Sequence, residues 1–385
     1  METTSSVIEQ LVPRLGSLQQ KLLSKKAVTG FDGFIDSIRK AVRQKTEHDV
    51  KYYPTLSDFG DHIKDLSGKS GQVELEIQRV KMGGNAPILS DALATLGVKA
   101  TCIGSMGFPE RDRVFDNICK HSNIITLLEP GKSDAIEFED GKLIVSDLGM
   151  FNRYDWEYIK ETAGIENLKR IFLGTDLIAL VDWANLPHAE NIWEGILRDI
   201  IKPSARRDFL FFFDLCDPSK KSACEIDEIL DLISSFSFYG KVTLGLNTNE
   251  ATTIWSVLTG ARQNGSVQEA GRFIHYAMNI DTLLIHPVDR TIAFHGKEII
   301  ELHGRVVKDP EVQTGGGDNL NAGYILGLLG GFTVQESMIL GMAASGFYVQ
   351  EGKSATLRDI KEYLAVWRSE LKLKPSLVEV NHLAK

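Results

Sequence analysis

The sequence predicts an α/β fold in which a mostly parallel central sheet is covered by helices and a small second β-sheet stands apart. Three observations carry this. From about residue 82 onward, short apolar runs alternate with amphipathic stretches, and strand–helix alternation over such a length builds a parallel sheet with helices on its faces. The apolar runs show no in–out alternation, as expected of strands buried on both sides. Two other segments do alternate, and strands of that kind leave one face for solvent or for covering something.

Residues 1–26 read as an N-terminal helical extension, and residues 27–385 as one larger domain. The first segment carries Glu9, Arg14, Lys21, Lys25 and Lys26 and lacks the apolar stretch of a secretory signal. At about 39–81, residues 50–53 and 72–80 look like strands flanking a polar helix. At about 131–148, Ile136-Glu137-Phe138 and Leu143-Ile144-Val145 flank Asp140-Gly141, a hairpin signal. These two segments are expected to form the small sheet, placed to close over a site. Candidate strands of the main sheet are 100–104, 170–174, 208–214, 241–246 and 282–286. Between them, Leu89, Ala92, Leu93 and Leu96 repeat at i, i+3, i+4, i+7, and Val334, Met338, Gly341, Met342 and Ser345 do the same, the helical period. Ligands of such sheets bind beyond the carboxyl ends of the strands.

Composition narrows the function classes. A chain of 385 residues can bury a large core. Its formal net charge of −9 argues against general nucleic-acid binding by phosphate neutralisation, so an anionic ligand needs a local site. No apolar run approaches the ~20 residues of a membrane helix, and a cytoplasmic protein is expected. Cys102, Cys119, Cys216 and Cys224 form no C-x-x-C pair and read as reduced, mostly buried thiols. The histidines show no H-E-x-x-H spacing, and there is no G-x-S-x-G.

One stretch constrains the chemistry most: Thr314-Gly315-Gly316-Gly317-Asp318-Asn319-Leu320-Asn321-Ala322-Gly323. A glycine turn running into a helix start presents bare N–H groups and the positive end of the helix dipole, which is an anion site. A carboxylate there would repel a phosphate. It makes sense if Asp318 takes a proton from a nucleophile while the N–H groups hold the phosphoryl group under attack. Met82-Gly83-Gly84-Asn85 opens a second glycine-led helix, readable alone as a tight turn and cap. Asn247-Thr248-Asn249-Glu250 reads either as a helix N-cap or as a polar cluster ordering water around a Mg²⁺-bound phosphate. The triplets Gly68-Lys69-Ser70 and Gly131-Lys132-Ser133 lack the P-loop's first glycine, with Ile63 and Thr126 in its place, and read as solvated loops.

Together these motifs resemble the ribokinase-like (PfkB) carbohydrate kinases. The resemblance rests on Gly83-Gly84 with Leu96-Gly97, on Asn247-x-x-Glu250, and on Gly315-Gly316-Gly317-Asp318-x-Leu320-x-Ala322-Gly323, in family order across roughly residues 27–360. It implies an αβα sandwich with a small β-sheet lid, and ATP-dependent phosphorylation of a hydroxyl on a small sugar or related polyol. Asp318 would be the base, with Gly315, Gly316 and Gly317 as the anion hole. Asp36, Gly83, Gly84 and Asn85 would meet the substrate, with Asp32 as a companion of Asp36 or a capping residue. Thr314, Asn247 and Glu250 would serve the nucleotide, the last two organising Mg²⁺ through water. The helix start would favour ionised Asp318 and make it a weak base.

The sequence also departs from the family pattern. Ile88 stands where the family usually has an asparagine, and Val312 stands in place of an aspartate near a monovalent-cation site, so potassium activation gains no support. Asp214-Leu215-Cys216-Asp217-Pro218 resembles a strand-end aspartate–proline stretch. Two alternatives stay open, a nucleoside kinase of the same fold and a non-catalytic sugar- or nucleotide-binding regulator. The exposed lid strands could pair two subunits into a homodimer.

Overall fold

The structure, a computed structural model of the chain, describes residues 3–118, 122–260, 265–307, 310–312 and 314–373. Its strands are β1 (Lys26–Phe31), β2 (Phe34–Lys45), β3 (Val50–Tyr52), β4 (Leu75–Gly83), β5 (Lys99–Gly104), β6 (Asn123–Thr126), β7 (Gly131–Phe138), β8 (Gly141–Asp147), β9 (Leu177–Leu180), β10 (Phe209–Asp214), β11 (Gly240–Leu246), β12 (Thr282–Ile285), β13 (Arg290–His295) and β14 (Glu298–His303). Nine of them form the main sheet in the order β14-β13-β12-β11-β10-β9-β1-β5-β6. It is parallel from β6 to β12 and ends in an antiparallel hairpin. The chain winds one way from β1 to β6 and the other way from β9 to β12. The crevice beyond β1 and β9 is therefore the topological switch point, where such sheets bind ligands.

Two hydrophobic cores flank this sheet, and β10 shows why its sequence does not alternate. Phe209, Phe211 and Phe213 enter the core that holds Trp156, Trp183 and Trp193. Phe212 points the other way, into the core built on Leu89, Leu93, Tyr324 and Ile325. Both faces are apolar because both are buried. The helices Thr4–Arg14 and Leu18–Leu22 complete the second core with Val7, Ile8, Leu11 and Leu18. Arg14 pairs with the buried Glu336 and lies 4.6 Å over the Phe332 ring.

One predicted strand is a helix. Residues 170–173 close the helix Ile165–Leu173 with Gly174 as its C-cap, and the strand follows at Leu177–Leu180. Leu168, Ile171 and Phe172 sit at i, i+3 and i+4 and pack on the core. A short apolar run cannot decide between the two periods by itself.

The small sheet has the order β3-β2-β7-β8, with β4 on the other side of β2. The helix Leu56–Asp65 caps it, and Phe59 packs with Tyr53 and Ile136. The hairpin tip holds that helix in place: Asp140 Oδ1 accepts from the Leu56 N–H at 2.7 Å. Register assigns the faces. Lys81, Asp36, Ser133 and Ser146 form one cross-strand row, and Val80, Ser37, Asp134 and Val145 form the next. The first row faces the main sheet; the second leaves Val80 and Val145 exposed. Gly131-Lys132-Ser133 is thus no solvated loop. It opens β7, because the apolar residues after it alternate into the lid.

Candidate active site

The carboxyl ends of the parallel strands bring acids together. β1 leads into Asp32, which is fully buried. Its two oxygens accept the backbone N–H groups of Asn85 at 2.7 Å and Ala86 at 2.8 Å. It therefore caps the helix Asn85–Thr95, whose own N-cap is Gly84 and offers no side chain. Gly84 must be glycine: its φ is 92°, and a Cβ would lie 2.6 Å from Asp32 Oδ2. Burial lifts the Asp32 pKa to about 6 against the pull of those N–H groups. Beyond β9, Asp182 holds a left-handed backbone (φ 59°) and accepts from Asn185 Nδ2 at 2.6 Å, while its Oδ2 is buried without a protein donor. Beyond β10, Asp214 accepts from the Cys216 N–H at 3.0 Å and Asn321 Nδ2 at 2.8 Å.

After β11, Asn247 and Glu250 close a capping box on the helix Thr248–Thr259. Asn247 N–H and Nδ2 donate to the two Glu250 oxygens at 2.8 and 2.6 Å. Burial, reinforced by Asp214, lifts the Glu250 carboxyl to about 8. Among the described residues no three metal-ligating side chains converge. The donor set still suits Mg²⁺, a hard cation that keeps most of its waters and takes few protein oxygens. Crowded, buried carboxyls that resist ionisation gain most from such a charge nearby.

The glycine turn stands opposite. Gly315 is the left-handed N-cap (φ 87°) of the helix Gly316–Gly330, which has no side-chain cap. A Cβ on Gly315 would lie 2.8 Å from the Tyr348 hydroxyl. The first intrahelical bond runs from the Asn319 N–H to the Gly315 carbonyl, so the turn before it presents its N–H groups outward. Asp318 is buried and accepts from Asn85 Nδ2 at 3.0 Å. Its pKa lies well above the ordinary carboxylate value, through burial and then the charges of Asp214 and Asp32. The weak base expected from the helix start is overturned, because desolvation outweighs the dipole. His286, at the end of β12, borders Gly317, and burial lowers it to about 4, which keeps the ring neutral.

The lid adds the roof. Asp36 accepts from Ser133 Oγ and lies against Gly83, where a Cβ would sit 2.2 Å from its Oδ1. Lys81 Nζ donates to Thr314 Oγ1 at 2.9 Å. Asp36, Gly83, Gly84, Asn85 and Asp318 thus form one connected rim, continued by Thr314 and the glycine turn. Asn247 and Glu250 lie further along the sheet edge.

The sequence profile of the prokaryotic ketohexokinase family matches residues 3–367. The chain belongs to the prokaryotic ketohexokinase family. It is a carbohydrate kinase, a phosphotransferase with an alcohol group as acceptor. A curated ketohexokinase of Haloferax volcanii is 24% identical over 351 residues, covering 90% of this chain and 92% of that one. Solved structures share the fold. Adenosine kinase from Sinorhizobium meliloti superposes with a TM-score of 0.61 at 16% identity, over 90% of this chain and 99% of that one. An E. coli protein described as ribokinase II, determined with ATP and Mg²⁺, gives 0.62 at 11% identity, over 89% and 100%. The ribokinase-like fold read from the motifs is therefore the observed one. For this carbohydrate kinase, the sequence does not single out Lys81, Asp182 or His286, and the reading of Ser133 as part of a solvated loop missed its bond to Asp36. Lys81 left a trace: it precedes Gly83 and Asn85 by even steps along an alternating strand.

Proposed function

We propose that the protein transfers the terminal phosphoryl group of ATP to a hydroxyl of a ketohexose. The observation that supports this reading is the contact between Asn85 and Asp318. It joins the acceptor side of the cleft, with Asp36 and Gly83, to the glycine turn on the phosphoryl side. The curated relative and the family profile favour a ketohexose over the nucleoside alternative.

In this reading Asp36 and the Gly83, Gly84 and Asn85 segment hold the sugar hydroxyls, and Asp32 positions that segment by capping its helix. The acceptor oxygen attacks the γ-phosphorus, its proton passes to an Asp318 oxygen, the bond to the β-bridging oxygen breaks, and the electron pair leaves with ADP. Gly315, Gly316 and Gly317 donate N–H groups to the phosphoryl oxygens, and Thr314 lies beside the polyphosphate. Most of the acceleration comes from positioning and charge stabilisation, since a loose transition state asks little of the nucleophile. Mg²⁺, organised by Asn247 and Glu250 through water, supplies neutralising charge on the phosphates. The lid keeps water from competing with the sugar.

The test is acceptor-dependent ADP release across ketohexoses, aldoses and nucleosides. Release with a ketohexose is expected. Release only with nucleosides would establish the nucleoside-kinase alternative, and none with any acceptor would favour a regulator. The lid's outer face exposes Ile77, Val80, Leu143 and Val145, an apolar surface suited to a second copy. Equilibrium sedimentation showing only monomer at micromolar concentration would remove the homodimer reading.

A further inference from the structure

Strand β4 runs from the lid into the site, and its alternate residues reach three different parts of it. Lys81 touches the Thr314 hydroxyl, Gly83 lies under Asp36, and Asn85, just past the strand, touches Asp318. Residues two apart on a strand share a face. Gly83 and Asn85 already belong to the acceptor side, and Lys81 is left facing the glycine turn.

Lys81 is not alone there. Arg79, Lys81 and Lys142 line one cleft of about 270 Å³, whose other wall is Pro310, Glu311, Val312 and Thr314. Glu137 lines it too, opposite Lys142 in the β7–β8 pair. Among the described residues none of the three cations forms an ion pair with a carboxylate. Lys81 is half-buried, and burial with Arg79 lowers its pKa against Asp36, Glu137 and Asp318, while burial and Lys81 lower Lys142 against Glu137 and Asp36. Burial and mutual repulsion outweigh the pull of Asp36 and Glu137 at both lysines in the free protein. A multiply charged anion between them would reverse that.

We propose that Lys81 is a catalytic residue carried by the lid, donating to the oxygens of the transferring phosphoryl group opposite the glycine turn, with Arg79 and Lys142 lining its approach. The inference rests on the kinase reading above. In the free protein that ammonium donates to Thr314 Oγ1, and a phosphoryl oxygen would take over the donor. The ammonium and the N–H groups hold the transferring phosphoryl group in line from two sides while negative charge builds on the leaving oxygen.

Titration calorimetry of ATP and of ADP, each with saturating Mg²⁺ and no acceptor, tests this on the full chain. Lys81→Met is expected to weaken ATP about 10- to 100-fold, the range for one charge-assisted hydrogen bond, and to leave ADP within about twofold. Lys81→Arg should restore part of the loss. With an accepted ketohexose, kcat should fall while the acceptor KM stays within about threefold. Equal weakening of both nucleotides, or none, overturns the inference and leaves the kinase reading standing. So does a selective rise in acceptor KM, which would place the ammonium on the sugar. A wild-type protein that binds neither nucleotide overturns both.

Discussion

The floor and the roof of the cleft carry opposite charges, and both are held under strain. On the floor, Asp32, Asp182, Asp214, Glu250 and Asp318 are buried at one edge of the main sheet, and burial raises every one of their pKa values. On the roof, Lys81 and Lys142 are lowered by the same cause. Desolvation pushes each group toward its neutral form, whichever sign it carries. Floor and roof offset each other only in part: Asp36 and Asp318 pull the Lys81 pKa up, and burial still outweighs them. The arrangement suits a ligand that brings its own cation to the acids and its own anion to the bases, as a metal-bound polyphosphate does. Strongly perturbed groups gathered in a cleft are a mark of function.

The largest break in this comparison comes from the floor. Asp318→Asn keeps the size and the contact with Asn85 but removes the carboxylate proposed as proton acceptor. We expect kcat to fall about 10²- to 10⁴-fold, with nucleotide affinity little changed and the thermal melting curve intact. Turnover near the wild-type level on the true acceptor would show that the base lies elsewhere.

Gly83→Ala acts where floor and roof meet. Its φ lies outside the left-handed region, so the backbone accepts alanine, but the new methyl would fall 2.2 Å from Asp36 Oδ1. The carboxylate must turn away and release Ser133. If Asp36 grips the acceptor, the acceptor KM rises about 10- to 100-fold, as for one hydrogen bond to a charged group, with the ATP KM steady. An unchanged acceptor KM would show that Asp36 does not hold the sugar.

How much of this was legible in the sequence depended on whether local pattern or register set the feature. The two sheets were readable because one buries both faces of its strands and the other buries one, which writes different periods into the chain. The glycine turn with Asp318 stood out because three bare N–H groups beside a carboxylate have few other uses. Lys81 left only its even spacing to Gly83 and Asn85, since a lysine on an alternating strand reads as solvated until pairing with Asp36 places it under the lid. Asp182 gave no signal, because its left-handed backbone is imposed by the sheet edge around it. The raised pKa of Asp318 was misjudged from the helix start alone, as its neighbours Asp32 and Asp214 come from strands far away in sequence.

The smallest effect is on stability, and its sign is fixed by the floor. Glu250 has an ordinary value of 4.5 and a folded value of about 8; for Asp32 the two are 3.8 and about 6. Between those values the folded state keeps protons that the unfolded chain has lost, so stability falls as pH rises. For Glu250 the penalty is absent below 4.5 and complete above 8. The ligand-free protein should therefore melt several degrees lower at pH 8.5 than at pH 6 by scanning calorimetry, an effect of a few kcal/mol at most on a chain of this size. Glu250→Gln should flatten most of that slope, since a neutral amide has no proton to lose, and leave only the stretch just above pH 6 where Asp32 finishes titrating. Saturating Mg²⁺ and ATP should flatten it as well, by favouring the ionised acids. A melting temperature that climbs steadily from pH 6 to 8.5 would mean that the floor is already paired within the protein, and the opposition of charge across the cleft would lose its basis.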